Sequence, residues 1–413
     1  MNTIYLDHNA TSPPSKEHLS LLFTKISQCS GNPSSPHSVG RSASVAITEA
    51  RRTIAQALGV DVAEILFVSG GSEADNLGIT GVLRQTNIPL KEQHTVSTTI
   101  EHPAVREPLE YLNKSEGLNI TWVKANEEGF VSLIDILKSI NKNTTLITIM
   151  AANSEIGSIQ STKKLGDFLH FKRWGVLANP SDKNEFEELG QNLSEEVSNE
   201  ILKKMHFHVD GVQAFGKLKI EEWFSPGVDS CAISAHKLGA LQGIGALFLR
   251  RGRKFKPFIL GGAQEKNRRA GTENLPGIVS FGLVTQELLS ENWWEKIKQM
   301  DEFRNYLFQE ISKISSVTLN SPQKNVLPNT INFSINEKGL RGEDLLVELD
   351  IKGICASSGS ACSSGANLPS HVILALGKSI ELAKNAVRIS LSRNTTKDEI
   401  ELALKSLRSY LIK

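Results

Sequence analysis

Short apolar runs alternate with amphipathic segments over most of the first 250 residues of the chain. Segments such as 42–58, 73–85 and 133–140 carry apolar residues at helical spacing. Between and after them lie short apolar runs that are typical of buried strands, at 65–68, 95–97, 120–123, 146–150, 207–209, 228–233 and 244–249. The alternation predicts a mostly parallel β-sheet covered by helices. The last two runs are joined too closely for a helix crossover, so one strand there should be antiparallel.

The pattern changes after Gly261 and Gly262. Long amphipathic helices over 285–314, two short strands and a Gly/Ser-rich loop over 357–365 predict a second, smaller α+β domain. A polar segment at about 175–205 interrupts the earlier alternation, and its second half has the composition of a helix. We interpret it as an insertion. It either reshapes a partner-binding surface or is a disordered loop that the fold tolerates, and we favour the disordered loop.

Composition excludes several classes of function. The 413 residues include 46 basic and 45 acidic side chains without a run of like charge, so we expect no direct nucleic-acid or membrane partner. Four scattered cysteines, Cys29, Cys231, Cys355 and Cys362, form neither a disulfide framework nor a zinc-ligand spacing. With no export signal and no apolar span, a cytoplasmic protein without a metal is expected.

Lys237 lies in a small glycine-rich turn between the last two apolar runs. A lysine held among small groups between core strands loses hydration, which lowers its pKa and makes it an amine nucleophile. On these residues alone, a solvated lysine in a surface turn is the favoured interpretation.

Polar residues follow three of the predicted strands. Ser69 to Glu73 join a strand to a helix, and this small-residue turn is either an anion cradle or a plain helix start with Ser72 as N-cap. Asp210, Gln213 and His102 also follow strands, where ligand groups of open α/β sheets gather. Each is alternatively a hydrogen-bonded loop residue. The pair His206 and His208 lacks a third ligand and is interpreted as structural.

Two further features lie late in the chain. Cys362 is surrounded by small residues, which predicts an exposed loop with a reachable thiol, whereas the other three cysteines are interpreted as small buried hydrophobes. Arg388 stands inside a strand-like run, where it should meet either a ligand carboxylate or a structural ion-pair partner. A lysine, an anion cradle, a strand-end acid, a histidine and this arginine together describe a pyridoxal phosphate site.

The chain resembles the cysteine desulfurases, which belong to the class V branch of fold-type I pyridoxal phosphate enzymes. The resemblance runs through ten motifs in order: YLDHNAT at Tyr5, GNPSSPHSVG at Gly31, SGGSEADN at Ser69, EHPAV at Glu101, ANSEIG at Ala152, HVDGVQ at His208, SAHK at Ser234, RRAGTEN at Arg268, SSGSACSSG at Ser357 and VRISLSR at Val387. It implies a seven-stranded, mostly parallel large domain over 14–262 and a small α+β domain formed by 1–13 and 263–413.

The resemblance also implies a role for each site residue. Lys237 would hold pyridoxal 5'-phosphate as a Schiff base and Cys362 would accept the sulfur, with the substrate carboxylate on Arg388. The expected cofactor contacts are Asp210 to the ring nitrogen, Gln213 to the ring oxygen, Asn153 to the ring oxygen and the substrate, His102 stacked on the ring, Gly71, Ser72, Ser234 and His236 to the phosphate, and Thr272 to the phosphate of a partner subunit.

The implied reaction converts L-cysteine to L-alanine and leaves a persulfide on Cys362, which a homodimer would pass to an acceptor protein for iron–sulfur cluster assembly or tRNA thiolation. Selenocysteine lyase, another class V activity and a non-catalytic sulfur-trafficking scaffold are the alternatives. The chain departs from the family pattern at Ala263, Lys266 and Asn267, where GGGQERG is common, and at Ser392, where a glycine is common. These changes leave every implied catalytic group in place.

Overall fold

The computed structural model describes residues 3–358 and 368–412. Its strands are β1 Ile4–Tyr5, β2 Ile65–Val68, β3 His94–Thr98, β4 Asn119–Val123, β5 Thr144–Met150, β6 His206–Asp210, β7 Ser230–Ser234, β8 Gly245–Leu249, β9 Val317–Leu319, β10 Thr330–Ile335, β11 Ile354–Cys355 and β12 Ala386–Ser390. Its helices are α1 Lys16–Ser27, α2 Ser38–Leu58, α3 Gly71–Asn76, α4 Pro103–Glu116, α5 Leu133–Ser139, α6 Thr162–Trp174, α7 Lys183–Gly190, α8 Asn199–Lys204, α9 Ile220–Trp223, α10 Gln264–Asn267, α11 Leu275–Leu288, α12 Glu291–Ser312, α13 Gly342–Ile351, α14 His371–Ala375, α15 Ile380–Lys384 and α16 Lys397–Leu411.

The large sheet has seven strands in the order β2-β8-β7-β6-β5-β3-β4. β7, β6, β5, β3 and β4 run parallel to one another, and β8 is antiparallel to both β2 and β7. Both faces of the central strands are buried, which explains why these runs are apolar along their whole length. The prediction of a mostly parallel sheet with one reversed strand is confirmed.

Helix ends in this region follow local sequence signals. α4 begins with Pro103 directly after the N-cap His102 and ends at Gly117, which adopts a left-handed conformation (φ 73°). α3 continues without a break into a π-helical turn over Leu77–Gly81. These starts and stops hold the loops that follow β2 and β3 at one edge of the sheet.

A second, separate core is built from the two ends of the chain. β10 pairs antiparallel with β12 and β9, while β1 pairs parallel with β11. Buried Leu6, Phe333, Ile389 and Leu407 belong to this core, so the N-terminal strand packs with the C-terminal third of the chain. This α+β layer fits the predicted small domain, whose boundaries at 13/14 and 262/263 stay a prediction.

The segment over 175–205 was expected to be a disordered loop, and that expectation is wrong. It forms α7 and α8, and Phe186 of α7 is 2% exposed because its ring meets Phe168 edge-to-face at 6.0 Å. Leu202 of α8 is also buried. The few apolar residues of this segment anchor it to α6. They were overlooked in the sequence because acidic and polar residues surround them.

The departures at Lys266 and Asn267 lie in a strained turn. Glu265, Lys266 and Asn267 all adopt positive φ, at 46°, 59° and 63°. The Glu265 carboxylate is held by both Arg51 guanidinium nitrogens, at 2.6 and 2.8 Å, and accepts from the Phe67 N–H. This bidentate pair fixes the turn on β2 although no glycine stands at residues 265–267.

No helix in the described part of the chain has both the length and the apolarity to cross a membrane.

Candidate active site

A cavity of about 530 Å³ opens where the parallel strands of the large sheet end. Asp210 closes β6, Ser234 closes β7, and the loops after β3 and β5 add His102 and Asn153. Carboxyl ends of parallel strands meet at one edge, which is why residues far apart in sequence converge there. The cavity brings together most of the predicted site residues: Gly71, Ser72, His102, Asn153, Asp210, Gln213, Ser234, His236, Lys237 and Arg388.

Two predicted residues are not in this group. Thr272 lines a different pocket, with Ser69, Gly271 and Asn274, so a single chain does not bring it to the Lys237 cavity. Cys362 lies outside the residues that the structure describes. Of the remaining cysteines, Cys29 and Cys231 are buried as expected, while Cys355 is only partly buried.

Lys237 ends the short turn that follows β7. Its Nζ donates to the backbone carbonyls of Asn9 and Ala10, at 2.7 Å in both cases. The interpretation of Lys237 as a solvated surface lysine is therefore wrong. The N-terminal segment supplies the acceptors, and the amine is held at the cavity wall.

Burial shifts the pKa values of the titratable groups around Lys237. Asp210 is buried, which raises the pKa of its carboxyl to about 6, although its Oδ1 accepts from the Val212 N–H at 2.9 Å. Burial, aided by the charge of Lys237, lowers the pKa of His102 to about 4. The Nδ1 of His102 accepts from the Ala104 N–H at 3.1 Å, so the neutral ring carries its proton on Nε2.

Three buried polar atoms of the cavity have no hydrogen-bond partner within the described chain: Ser234 Oγ, Glu101 Oε2 and Arg388 Nε. Burying a polar atom without a partner costs free energy, so such atoms point to a ligand that satisfies them. Arg388 also pairs with Asp7 at 2.7 Å and donates to the Ser154 carbonyl at 3.2 Å. The structural ion pair is therefore present, and it leaves Arg388 Nε available to a ligand.

The cradle at the start of α3 is shaped by Gly71. A Cβ added to Gly71 would lie 2.8 Å from Val212 Cγ2, so only glycine fits beside that side chain. Gly70, not Ser72, is the N-cap, and it makes no side-chain cap bond. The N-cap interpretation of Ser72 is wrong. His236 faces the same cavity, its Nδ1 lies 3.1 Å from Thr11 Oγ1, and burial lowers its pKa to about 4.

Histidines His206 and His208 are structural, as interpreted. His206 Nε2 and His208 Nδ1 each lie 2.7 Å from Ser230 Oγ, and His208 Nε2 lies 3.1 Å from Asp75 Oδ1. Across residues 3–358 and 368–412, no group of side chains has the composition of a metal site.

The sequence analysis did not single out two buried acids of the cavity, Asp75 and Glu101, although they lie in the motifs SGGSEADN and EHPAV. Burial raises the pKa of Glu101 to about 8.

Both described flanks of the segment that contains Cys362 lie beside the cavity. On one side, the Ser357 backbone exchanges hydrogen bonds with Arg388 at 2.6 and 3.2 Å. On the other side, Ser370 Oγ donates to Glu155 at 2.5 Å and His371 Nε2 donates to the Glu101 carbonyl at 2.9 Å. The described residues on either side of the segment 359–367 are thus both held beside the cavity.

A family model described as aminotransferase class-V matches residues 4–178 and 191–403. The chain belongs to the class V aminotransferase family. The break in the match falls on residues 179–190, which narrows the predicted insertion to the stretch that ends with α7. The rest of the segment, including α8, is part of the family pattern.

Relatives and solved structures agree with this family. The cysteine desulfurase IscS of Dictyoglomus turgidum is 38% identical over 411 residues, covering 99% of this chain and 95% of the relative. A NifS-like protein structure superposes with a TM-score of 0.81 at 29% identity, covering 98% of each chain. The structure of SspA in complex with cysteine gives a TM-score of 0.73 at 29% identity over 95% of this chain and 100% of SspA. The fold is that of the fold-type I pyridoxal phosphate transferases.

Proposed function

We propose that the protein is a cysteine desulfurase that removes sulfur from L-cysteine and releases L-alanine, with pyridoxal 5'-phosphate as cofactor. The observation that carries the proposal is the convergence of Lys237, Asp210, His102, Ser234 and Arg388 on one cavity. The relative from Dictyoglomus turgidum, a cysteine desulfurase IscS that matches this chain over nearly its whole length, supports it.

The chemistry of the cavity walls fits this cofactor. Ser234 Oγ is a buried hydroxyl in need of a partner, and with Gly71, Ser72 and His236 it would hold the phosphate. Asp210 is a buried acid suited to the ring nitrogen, His102 is a neutral ring suited to stacking, and Gln213 and Asn153 would meet the ring oxygen. When bound, the cofactor supplies a ring that withdraws electrons from the substrate Cα.

The side chains of the protein then orient the substrate and move protons. Arg388 Nε, buried and without a partner among the described residues, would bind the substrate carboxylate, while Asp7 and the Ser154 carbonyl hold the rest of the guanidinium in place. Lys237 would take the proton from Cα and later return it, because its amine stands at the cavity wall. Asp210, as an anion, would keep the ring nitrogen protonated.

Sulfur leaves through Cys362. Its thiolate would attack the sulfur of the bound cysteine, a new S–S bond would form, and the C–S bond of the substrate would break with its electron pair moving to carbon. The resulting persulfide would be passed to an acceptor protein, for iron–sulfur cluster assembly or tRNA thiolation. Ser358 is four residues from Cys362 along the chain, which is a span of about 14 Å when fully extended. Its neighbour Ser357 exchanges backbone hydrogen bonds with Arg388, a residue of the cavity.

A cytoplasmic homodimer completes the proposal. Phe258, Ile259 and Leu260 are exposed, Leu260 by 79%, on the segment that leads to Thr272. Exposed apolar residues on the same segment as Thr272 are suited to a subunit contact. Through that contact Thr272, which does not line the Lys237 cavity of its own chain, would reach the phosphate bound by the partner subunit. The molar mass in solution, measured by light scattering, tests the dimer.

The decisive experiment is a mass measurement after cysteine is added to the purified protein. We expect one extra sulfur on the Cys362 peptide and alanine in solution. Cys362→Ala should keep the yellow colour of the bound cofactor and stop sulfide release, whereas the control Cys355→Ala should retain both. Sulfide release at the normal rate from the Cys362→Ala variant would overturn the persulfide step, and absence of alanine would overturn the function.

A further inference from the structure

A second lysine, Lys217, is buried behind the cavity wall. It is 7% exposed, and its Nζ lies 2.8 Å from Asn9 Oδ1 and 2.5 Å from Gln213 Oε1. Neither acceptor is a carboxylate, so Lys217 is not part of an ion pair with them. A lysine buried against two side-chain amides needs an explanation, because burying an amine is costly unless its contacts are specific.

The amide of Asn9 has one possible orientation. Its Nδ2 donates to the Ser154 backbone carbonyl at 3.0 Å and to Thr330 Oγ1 at 2.8 Å, and its Oδ1 accepts from Asn329 Nδ2 at 2.9 Å. A backbone carbonyl only accepts, so the nitrogen must face Ser154. The Oδ1 therefore faces Lys217, independently of anything that Lys217 does.

The amide of Gln213 is then fixed from both sides. Its Nε2 donates to the Asn9 backbone carbonyl at 3.1 Å, and its Oε1 accepts from Lys217. A lysine amine, charged or neutral, uses N–H groups to meet the two oxygens near it. Turning the Gln213 amide over would place its NH₂ against the amine and its oxygen against a carbonyl, and both contacts would be repulsive.

The same Asn9 carbonyl also receives Lys237 Nζ at 2.7 Å. Lys217, through Asn9 and Gln213, is thus linked to the amine at the cavity wall and to an amide that lines the cavity. Burial lowers the pKa of Lys217, and the charge of Lys237 adds to this effect. The titratable groups whose pKa responds to Lys237 are His102, Asp210, Lys217 and His236.

We propose that Lys217 is a positioning residue that locks the Gln213 amide in one orientation, so that Gln213 offers an N–H and not an oxygen to a ligand oxygen in the cavity. This inference rests on the proposed function, because the ligand oxygen is that of the cofactor ring. Lys217 itself lies behind Gln213 and acts through it. Without Lys217 the oxygen end of the amide loses its donor, and only the Asn9 carbonyl, which also receives Lys237 Nζ, still favours this orientation.

The test compares Lys217→Met with Lys219→Met, the same substitution at an exposed lysine two residues away. The pH midpoint of the visible absorbance change of the bound cofactor is measured in each variant. A donor to the ring oxygen and a nearby amine both favour loss of the proton from the Lys237 nitrogen, so their loss should raise the midpoint by about one pH unit. The dissociation constant of the cofactor should rise about tenfold. Lys219→Met should match the wild type.

Gln213→Glu provides a second variant, because it keeps the oxygen that Lys217 contacts and removes the donating nitrogen. It should also raise the midpoint. In Gln213→Met, which removes the amide altogether, adding Lys217→Met should raise the midpoint by less than it does in the wild type, because only the contribution of the amine is left to lose. An unchanged midpoint in Lys217→Met, or in Gln213→Glu if the first variant does not fold, overturns the proposal. A wild-type protein that binds no cofactor would instead overturn the proposed function, so the two failures are distinguishable.

Discussion

The two sides of Lys237 differ in how far their hydrogen bonds are satisfied. On the cavity side, Ser234 Oγ, Glu101 Oε2 and Arg388 Nε are buried without partners in the described chain. Behind Lys237, Asn9 uses its N–H, its carbonyl, its Oδ1 and its Nδ2, all within 3.1 Å of their partners. The atoms on the cavity side are therefore available to a ligand, whereas the atoms behind Lys237 hold the site in position.

The largest effect is expected at the boundary between the two sides. Lys237→Ala should reduce sulfide release from cysteine by about 10³-fold or more, since it removes both the covalent attachment point and the proton-transferring amine. After borohydride treatment, mass spectrometry should find no cofactor on the variant, while Lys219→Ala should carry it. Covalent cofactor on Lys237→Ala would mean that the attachment site lies elsewhere.

The two sides should also differ in stability. Asn9→Ala leaves several buried partners unsatisfied and should lower the free energy of unfolding of the cofactor-free protein by about 2–4 kcal/mol. Ser234→Ala removes a hydroxyl that has no partner in the described part of the chain, so the free energy of unfolding should change by no more than about 0.5 kcal/mol, while cofactor affinity falls about tenfold. Urea unfolding and cofactor titration measure both quantities. Equal destabilisation by the two variants would erase the distinction between the sides.

A pH-dependent effect on stability is expected at Glu101, on the cavity side. Burial raises its pKa from 4.5 to about 8, so the folded protein keeps a proton that the unfolded chain releases. The resulting stability is complete below pH 4.5 and is lost as pH rises towards 8, by at most about 1.4 kcal/mol per pH unit. Glu101→Gln lacks this loss, and its Oε1 can still accept from Thr98 and Met150.

The melting temperature of Glu101→Gln, relative to the wild type, should therefore increase with pH up to about 8 and then level off. Thermal unfolding followed between pH 5 and pH 9 measures it, with Glu107→Gln at a helix surface as the control. A difference that does not depend on pH would show that Glu101 titrates at its ordinary value in the folded protein.

The sequence was informative where periodicity and motif order carry the structure. The parallel sheet and its reversed strand follow from the apolar runs, and the convergence of Asp210, Ser234 and His102 follows from the strand-end rule, because Asp210 and Ser234 end their strands and His102 lies in the loop after β3. The support behind Lys237 could not be predicted in this way. Asn9 and Ser390 are 381 residues apart, and no local sequence pattern predicts the hydrogen bond between them.

Other features were hidden for identifiable reasons. Lys217 is one of two lysines close together among apolar and small residues, and the buried Lys217 cannot be told from the exposed Lys219 until its partners are seen. The insertion was misjudged because its acidic composition outweighed Phe186, the one aromatic ring that anchors α7. Both cases concern contacts between distant elements, which periodicity does not report.

The bond between the Asn9 N–H and Ser390 Oγ also constrains when the site can form during synthesis. The seven-stranded sheet ends at Leu249 and can assemble while the ribosome is still adding the last third of the chain. Asn9 reaches its full set of partners only after Asn329, Thr330 and Ser390 have emerged. The nascent protein therefore has a nearly complete scaffold well before it can hold Lys237 in place, and competence to bind cofactor should be among the last properties that it acquires.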